Sequence, residues 1–391
     1  MLGSGVYSKS LAPIKHLKVC RIRIEDTLCD IWNILIKRRM SMSRRLLLIV
    51  GLSLLMTAIS CTPSHPQSTF DVTGPIASGQ RDLFSLMFWL AAVVFVLVEG
   101  IFIYVIFRYR RKGNEMPAQH HGNTRMEIAW TIAPALLLVV VMVPTIQKIF
   151  ENASPPDNSY EIAVIGHQWW WEFEYLDCGP VDCAGLVTAN ELHIPAGQPV
   201  NFTLVSEDVI HAFWVPKIGG KRDALPVPKN SDGKLDLVHQ RANQLWLQGD
   251  VPGEYYGQCA ELCGVSHANM RLRVHVDEPD TFAQWVSNQK SPNSLPSSTN
   301  PGYEKLTTLC AACHAITGTT LTGVIGPDLS HYGNRGTLAS AMFDNTPENL
   351  KEWLRDPGGM KPGNIMAGSV KPGTLSEEEI EALADYLLGL R

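Results

Sequence analysis

The sequence predicts a multidomain chain: a two-helix transmembrane hairpin, then an all-β sandwich, then a small all-α domain. Three observations carry this reading. Two long apolar runs lie close together before residue 150. Short alternating strands, punctuated by Gly and Pro, fill the middle, and a C-x-x-C-H sequence opens a helix-forming C-terminal stretch. A chain of 391 residues has room for two or three domains. Its averages, 45 % hydrophobic and 18 % charged, are ordinary for a globular protein and conceal strong segregation along the chain. The net charge of −5 argues against nucleic acid as a partner, because phosphate binding needs a concentrated basic face.

Residues 1–39 show no sustained helical or strand period and read as a leader that is not translated, with a natural start at Met40 or Met42. Residues 40–60 have the order of a secretory signal: Arg44 and Arg45, an apolar run over 46–58, then Ser60. Cys61 follows immediately and resembles the lipidated cysteine of a bacterial lipobox, although Ile59 is bulkier than the usual residue there. An ordinary signal peptide or an extra membrane helix, with Cys61 incidental, is the alternative.

The hairpin is expected within residues 80–150. Residues 83–107 are nearly all apolar, with Glu99 the one charge, and 128–146 form a second run long enough to cross a bilayer. Pro134 and Pro144 are tolerable in such a helix. Arg108, Arg110, Arg111, Lys112 and Arg125 crowd the connection, against Glu115 alone before Glu127. The positive-inside rule therefore places this loop in the cytoplasm and both flanking segments outside. Glu127, at the cytoplasmic mouth of the second span, has two readings of equal standing. It is a helix-start carboxylate favoured by the helix dipole, or it is the carboxylate at which protons are taken up. Glu99, costly if unpaired in lipid, is expected to face another protein chain or water.

Residues 158–280 change texture to short strands, such as 161–165, 190–195 and 200–205, which suit one sandwich or barrel. Within them Cys259, Cys263, His267 and Met270 place two thiolates, an imidazole and a thioether in one short stretch. That is a ligand set for a soft transition metal, and the thioether favours copper over zinc. His211, far upstream, reads as a strand-end ligand. Two cysteines, two histidines and a methionine suit two coppers with both thiolates bridging. A Cys259–Cys263 disulfide is the competing reading. The aromatic run Trp169, Trp170 and Trp171 is expected to alternate faces if it lies on a strand, with Trp169 and Trp171 on one side. Cys178 and Cys183, outside the cytoplasm, are expected to form a local disulfide rather than to bind copper.

On these residues, the stretch from about 80 to 280 resembles the copper A subunit, subunit II, of haem–copper cytochrome c oxidases. The resemblance implies a cupredoxin-like sandwich with a dinuclear copper A centre held by His211, Cys259, Cys263, His267 and Met270 and by the backbone carbonyl of Glu261. It further implies that the Glu261 side chain binds a magnesium or manganese ion shared with subunit I, that Trp169 lies on the electron path, and that Glu127 begins a proton channel.

A linker is expected over residues 287–301, rich in Ser, Asn and Pro from Pro292 onward. Residues 302–391 then read as a cytochrome c domain. Cys310, Cys313 and His314 form the attachment signature of a c-type haem, with two thioether bonds and His314 as proximal ligand. Residues 326–329 resemble the loop beside the haem in small cytochromes c. An amphipathic run over 347–354 follows, and a final helix is capped by Ser376 with Glu379 completing a capping box. For the second axial ligand, Met366 sits in a segment resembling the family's ligand loop, although Ala367 stands where proline is usual. Met360 is the runner-up, and Met342 reads as packing.

These parts imply the subunit at which electrons enter a proton-pumping cytochrome c oxidase. An external cytochrome c or equivalent donor would be the source, and oxidase subunit I the recipient and site of oxygen reduction. The expected location is the bacterial inner membrane, with the copper and haem domains on the periplasmic face. A free-standing, membrane-anchored copper and haem electron carrier is the alternative; it would need only one span and no proton-uptake acid.

Overall fold

A computed structural model describes residues 48–53, 56, 65–114, 116, 119 and 122–391. Residues 48–53, inside the expected signal sequence, are helical. The leader, the signal sequence apart from residues 48–53 and 56, Cys61 and Glu115 lie outside the described residues.

Helix α1 (Pro75–Arg108) opens with proline at its first position and ends on a basic residue in its last turn, both favourable there. Its 34 residues rise about 50 Å at ~1.5 Å each, more than the ~30 Å of a bilayer's hydrocarbon core. The excess is the N-terminal part, where Ile76 and Ala77 are buried, Ile76 in the core of the β-domain. Helix α2 (Thr124–Ala153) is capped by Asn123, whose Oδ1 accepts from the amides of Arg125 and Met126, and Pro134 and Pro144 lie inside it. Both helices have the length and hydropathy of membrane spans. Their apolar side chains are exposed all round, as a span's are.

The β-domain contains strands β1 (Tyr160–His167), β2 (Trp170–Asp177), β3 (Leu186–Ala189), β4 (Glu191–Pro195), β5 (Val200–Ser206), β6 (His211–Trp214), β7 (Arg222–Pro226), β8 (Asn243–Leu247), β9 (Gly253–Cys259) and β10 (Arg271–Asp277). The strand order is β3-β2-β1-β5-β7-β6-β9-β10-β4, with β8 also pairing to β5. Strand β7 pairs with both β5 and β6, and so joins the two halves of the folded-over sheet. Period-two burial on β2 turns Trp171, Phe173 and Tyr175 inward, where Phe202 and Phe213 meet them. Cys178 and Cys183 are disulfide-bonded across the short connection after β2.

Helix α3 (Pro279–Lys290) sends Phe282 and Val286, one turn apart, into the same core. The β-domain therefore extends beyond the expected end at residue 280, and the first four residues of the expected linker are helical. The apolar i, i+4 pair outweighs the polar composition of this segment.

The C-terminal domain is built from α4 (Pro301–Lys305), a wider turn over Leu306–Cys310, a two-strand ladder of β11 (Thr337–Leu338) and β12 (Phe343–Asp344), then α5 (Pro347–Arg355), α6 (Pro357–Met360) and α7 (Glu377–Leu388). Helix α5 buries Leu350 and Leu354, and α7 carries the full capping box of Ser376 and Glu379. Its core, around Leu306, Leu350, Leu383 and Tyr386, is separate from that of the β-domain.

Candidate metal and haem sites

The ligand-type side chains of the β-domain converge because β9 and β10 are antiparallel neighbours joined by residues 260–270. Cys259 ends β9, Cys263 lies in the loop, His267 opens a short 3-10 turn, and Met270 directly precedes β10. His211 begins β6, which pairs with β9 so that Phe213 faces Cys259. The two sulfurs of Cys259 and Cys263 lie 3.8 Å apart. His211 Nδ1 is 3.9 Å from Cys259 Sγ, His267 Nδ1 is 3.5 Å from Cys263 Sγ, and Met270 Sδ is 3.9 Å from Cys263 Sγ. The Glu261 carbonyl oxygen sits 3.2 Å from Cys259 Sγ. His211, Cys259 and Cys263 together offer ligand atoms all within 4.8 Å of one another.

This donor set fits soft copper. The thiols are free and buried, and the hydrogen bond with Cys263, together with His211, pulls the Cys259 pKa down while that of Cys263 is pushed up. The lowering at Cys259 favours the thiolate form that metal ligation requires. Behind the site, His211 Nε2 bonds Asp208 Oδ1 at 2.8 Å, which fixes the ring and aims Nδ1 at the sulfurs. Burial raises the Asp208 carboxyl, but hydrogen bonds from His211, Val209 and Gln168 outweigh it and hold the group below its usual range. Gly166 is required by the same ring: a Cβ there would stand 2.6 Å from His211 Cδ2.

In the C-terminal domain a cavity is lined by Cys310, Cys313, His314 and Met366, with Leu309, Tyr332, Leu338 and Trp353 among its apolar walls. Met360 and Met342 do not line it. The donors fit a covalently held haem. His314 Nδ1 donates to the Pro327 carbonyl at 2.7 Å, leaving Nε2 for a ligand, and burial lowers the imidazole's pKa, which favours the neutral ring. Gly326 lets the chain pass this ring, since a Cβ would meet His314 Cε1 at 2.6 Å. Asn364 organises the segment bearing Met366: its Nδ2 donates to the carbonyls of Pro357 and Lys361, and its Oδ1 accepts from the Ala367 amide at 3.0 Å. Proline at 367 would lack that donor.

The tryptophan run departs from the strand expectation. Residues 168 and 169 form the turn of the β1–β2 hairpin, and His167 pairs with Trp170. Trp171 faces the core beside His211 and Phe213, Trp170 stacks on His167 at 4.1 Å, and Trp169 belongs to neither strand. Its indole Nε1 donates to the Cys263 carbonyl at 3.0 Å, and Gln168 Nε2 donates to the same oxygen at 2.7 Å. Gln168, Trp169 and Trp170 also line the cavity of the C-terminal domain. One turn thus touches the cysteine loop on one side and the cavity on the other. Glu127, at the start of α2, accepts from the Asn123 amide at 3.1 Å through Oε1. Sequence reasoning missed Asp208; its position three residues before His211 is the only local signal.

A hairpin of two span-length apolar helices followed by a copper-type cluster and a haem-type cavity defines a membrane-anchored electron-transfer protein. Comparison with known proteins makes the class specific. The family model for "Cytochrome C oxidase subunit II, transmembrane domain" matches residues 63–147, that for the "periplasmic domain" of the same subunit matches 178–276, and that for "Cytochrome c" matches 300–391. Cytochrome c oxidase subunit 2 of Alkalihalophilus pseudofirmus is 36 % identical over 358 residues, 89 % of this chain and 97 % of that protein. The Bacillus subtilis subunit is 35 % identical over 366 residues, 88 % and 97 % of the respective chains. A crystal structure of the periplasmic domain of cytochrome oxidase subunit II from Bradyrhizobium japonicum is 31 % identical, covers 34 % of this chain and 96 % of that one, and has a TM-score of 0.29. The chain belongs to the cytochrome c oxidase subunit II family, in a form with a C-terminal cytochrome c domain. It is the subunit at which electrons enter a cytochrome c oxidase, works with other oxidase subunits, and is anchored in a membrane with a periplasmic domain.

Proposed function

We propose that the chain takes single electrons from an external cytochrome c, or an equivalent donor, at its C-terminal domain. The electrons leave through its β-domain to subunit I, where oxygen is reduced to water. The observation that carries this route is the 168–169 turn, which lines the cavity and hydrogen-bonds the Cys263 carbonyl. Trp169 is the group of this chain that bridges the two sites.

His211, Cys259, Cys263, His267, Met270 and the Glu261 carbonyl would hold a dinuclear copper centre. Cys310 and Cys313 would hold a haem c by thioether bonds, and His314 and Met366 would supply its protein ligands. When bound, these groups supply one-electron redox chemistry. The chain's own residues keep the sites rigid: Asp208 orients His211, the Pro327 carbonyl orients His314, and Asn364 orients the Met366 segment. Rigid ligands lower the rearrangement that accompanies each electron. The Glu261 carboxylate, which accepts from the Leu262 amide, is the side chain we assign to a magnesium or manganese ion at the boundary with subunit I. Glu127 is assigned to proton uptake, and the inner membrane is the assigned location.

Paramagnetic resonance and visible spectra of the complete oxidase, oxidised and reduced, test the assignment. A copper signal split by two equivalent nuclei beside a low-spin His–Met haem is expected. A single-copper signal, or a Cys259–Cys263 disulfide in the copper-loaded protein, would overturn it.

A further inference from the structure

The C-terminal domain meets the β-domain through two buried polar groups, Glu191 and Lys361, the second of which also lines the cavity. Lys361 is 3 % exposed. Its ammonium faces three acceptors, one for each of its donors: the Trp169 carbonyl at 2.6 Å, Ser340 Oγ at 2.7 Å and the Ala339 carbonyl at 3.4 Å. Ser340 Oγ also donates to the Trp169 carbonyl at 2.8 Å. Among the described residues no carboxylate lies within ion-pair distance of Lys361. A buried ammonium without a counter-ion is costly, and here backbone and hydroxyl oxygens alone satisfy it. On the other side of the contact, Glu191 of β4 is 7 % exposed. Its carboxylate takes three donors from the C-terminal domain: the Gly336 amide at 3.2 Å, the Thr337 amide at 2.6 Å and Thr337 Oγ1 at 2.6 Å.

Glu191 also lies near His193 and His275, close enough for their ligand atoms to suggest a metal. The two imidazoles, however, stack at 4.4 Å with 15° between planes, so their in-plane lone pairs do not converge. His193 Nδ1 is taken by Asp277 at 2.8 Å. The carboxylate is committed to the neighbouring domain.

We propose that Lys361 and Glu191 clamp the cytochrome domain onto the copper domain, and that Lys361 is a positioning residue for electron transfer between them. It acts by holding the Trp169 main chain while the Trp169 indole holds the Cys263 carbonyl. The inference rests on the assignment of the two sites above. Lys361 fixes the turn from the cavity side and Cys263 fixes it from the copper side, so the distance across Trp169 is set by both. Glu191 anchors the adjoining 336–337 segment and prevents the domain from rotating about the lysine.

The test uses the complete oxidase with Lys361→Met, Lys361→Arg and Glu191→Gln. Hydrogen exchange is followed at the amides of residues 336–341 and 168–170, and light-triggered electron transfer from haem to copper is timed. In Glu191→Gln the Thr337 amide should exchange about tenfold faster. In Lys361→Met internal transfer should slow by about tenfold, because a small misplacement of a bridging group acts steeply on rate. Copper and haem spectra should be unchanged, and Lys361→Arg should recover part of the rate. Should Lys361→Met fail to accumulate, Ser340→Ala removes one donor to the Trp169 carbonyl and is read in the same way. Exchange and transfer both within about twofold of the unmodified protein would overturn the clamp. Loss of the dinuclear copper signal in the unmodified protein would overturn the site assignment instead, and the exchange data would still decide the clamp.

Discussion

Asp208 binds no cofactor in the arrangement above, yet it fixes the one copper-type ligand that comes from outside the 259–270 loop. Its Oδ1 bonds His211 Nε2, and its Oδ2 accepts from the Gln168 amide at 2.7 Å, so one carboxylate ties the ligand ring to the Trp169 turn. Asp208→Asn keeps the shape and removes the charge. Copper affinity, measured by competition with a chelator, should fall about 10- to 100-fold; an unchanged affinity would remove Asp208 from the site. Lys361 makes a second prediction, because burial pushes its pKa down to about 7. The unfolded chain holds that proton up to about pH 10.4, so between those values the unfolded state binds more protons and folding strengthens as pH rises. The slope should approach about 1.4 kcal/mol per pH unit for this one group. Deprotonation still leaves two N–H donors for the two short contacts. Unfolding followed from pH 7 to 10 should show the rise in the unmodified chain and not in Lys361→Met; parallel curves would refute it. Neither Asp208 nor Lys361 stands out in the sequence. Lys361 and Trp169 are 192 residues apart, and only folding makes them neighbours.

At the scale of elements, legibility followed locality. The copper-type ligands of residues 259–270 were readable because one loop between β9 and β10 carries them. The capping box of α7 was readable because Ser376 and Glu379 are three residues apart. The tryptophan run misled because alternation presumes a continuous strand, whereas the hairpin turns at 168–169. Helix α3 was hidden by the polar residues around Phe282 and Val286. The disulfide after β2 closes a separation of 5 residues, and both of its cysteines are buried in the β-domain core. By the loop-entropy relation, replacing both with serine should lower stability by about 2 kcal/mol. The melting temperature of the β-domain should drop with the copper signal intact. Loss of that signal would mean that the bridge shapes the metal site rather than bracing the sheet.

At the scale of the whole molecule, the β-domain and the C-terminal domain have main apolar cores with no residue in common, and a smaller cluster of Ile165, Val205 and Val227 belongs to the β-domain. Between the two domains lie the Trp169 side chain and the hydrogen bonds of Lys361 and Glu191. Such bonds contribute only about 0.5–1.5 kcal/mol net each, more for those to charged groups. They fix the orientation of two domains whose cores are separate. Copper held by ligands that converge only on folding would stabilise the β-domain by mass action. Removing copper with a reducing chelator should therefore lower the unfolding temperature of the β-domain by about 10 °C or more, followed through the buried tryptophans. The haem-domain transition, followed through the haem absorption, should move by no more than about 2 °C, because distant sites with separate cores add independently. If both transitions fall together, the clamp is strong enough to make one cooperative unit. The contact around Trp169 would then carry folding energy as well as orientation.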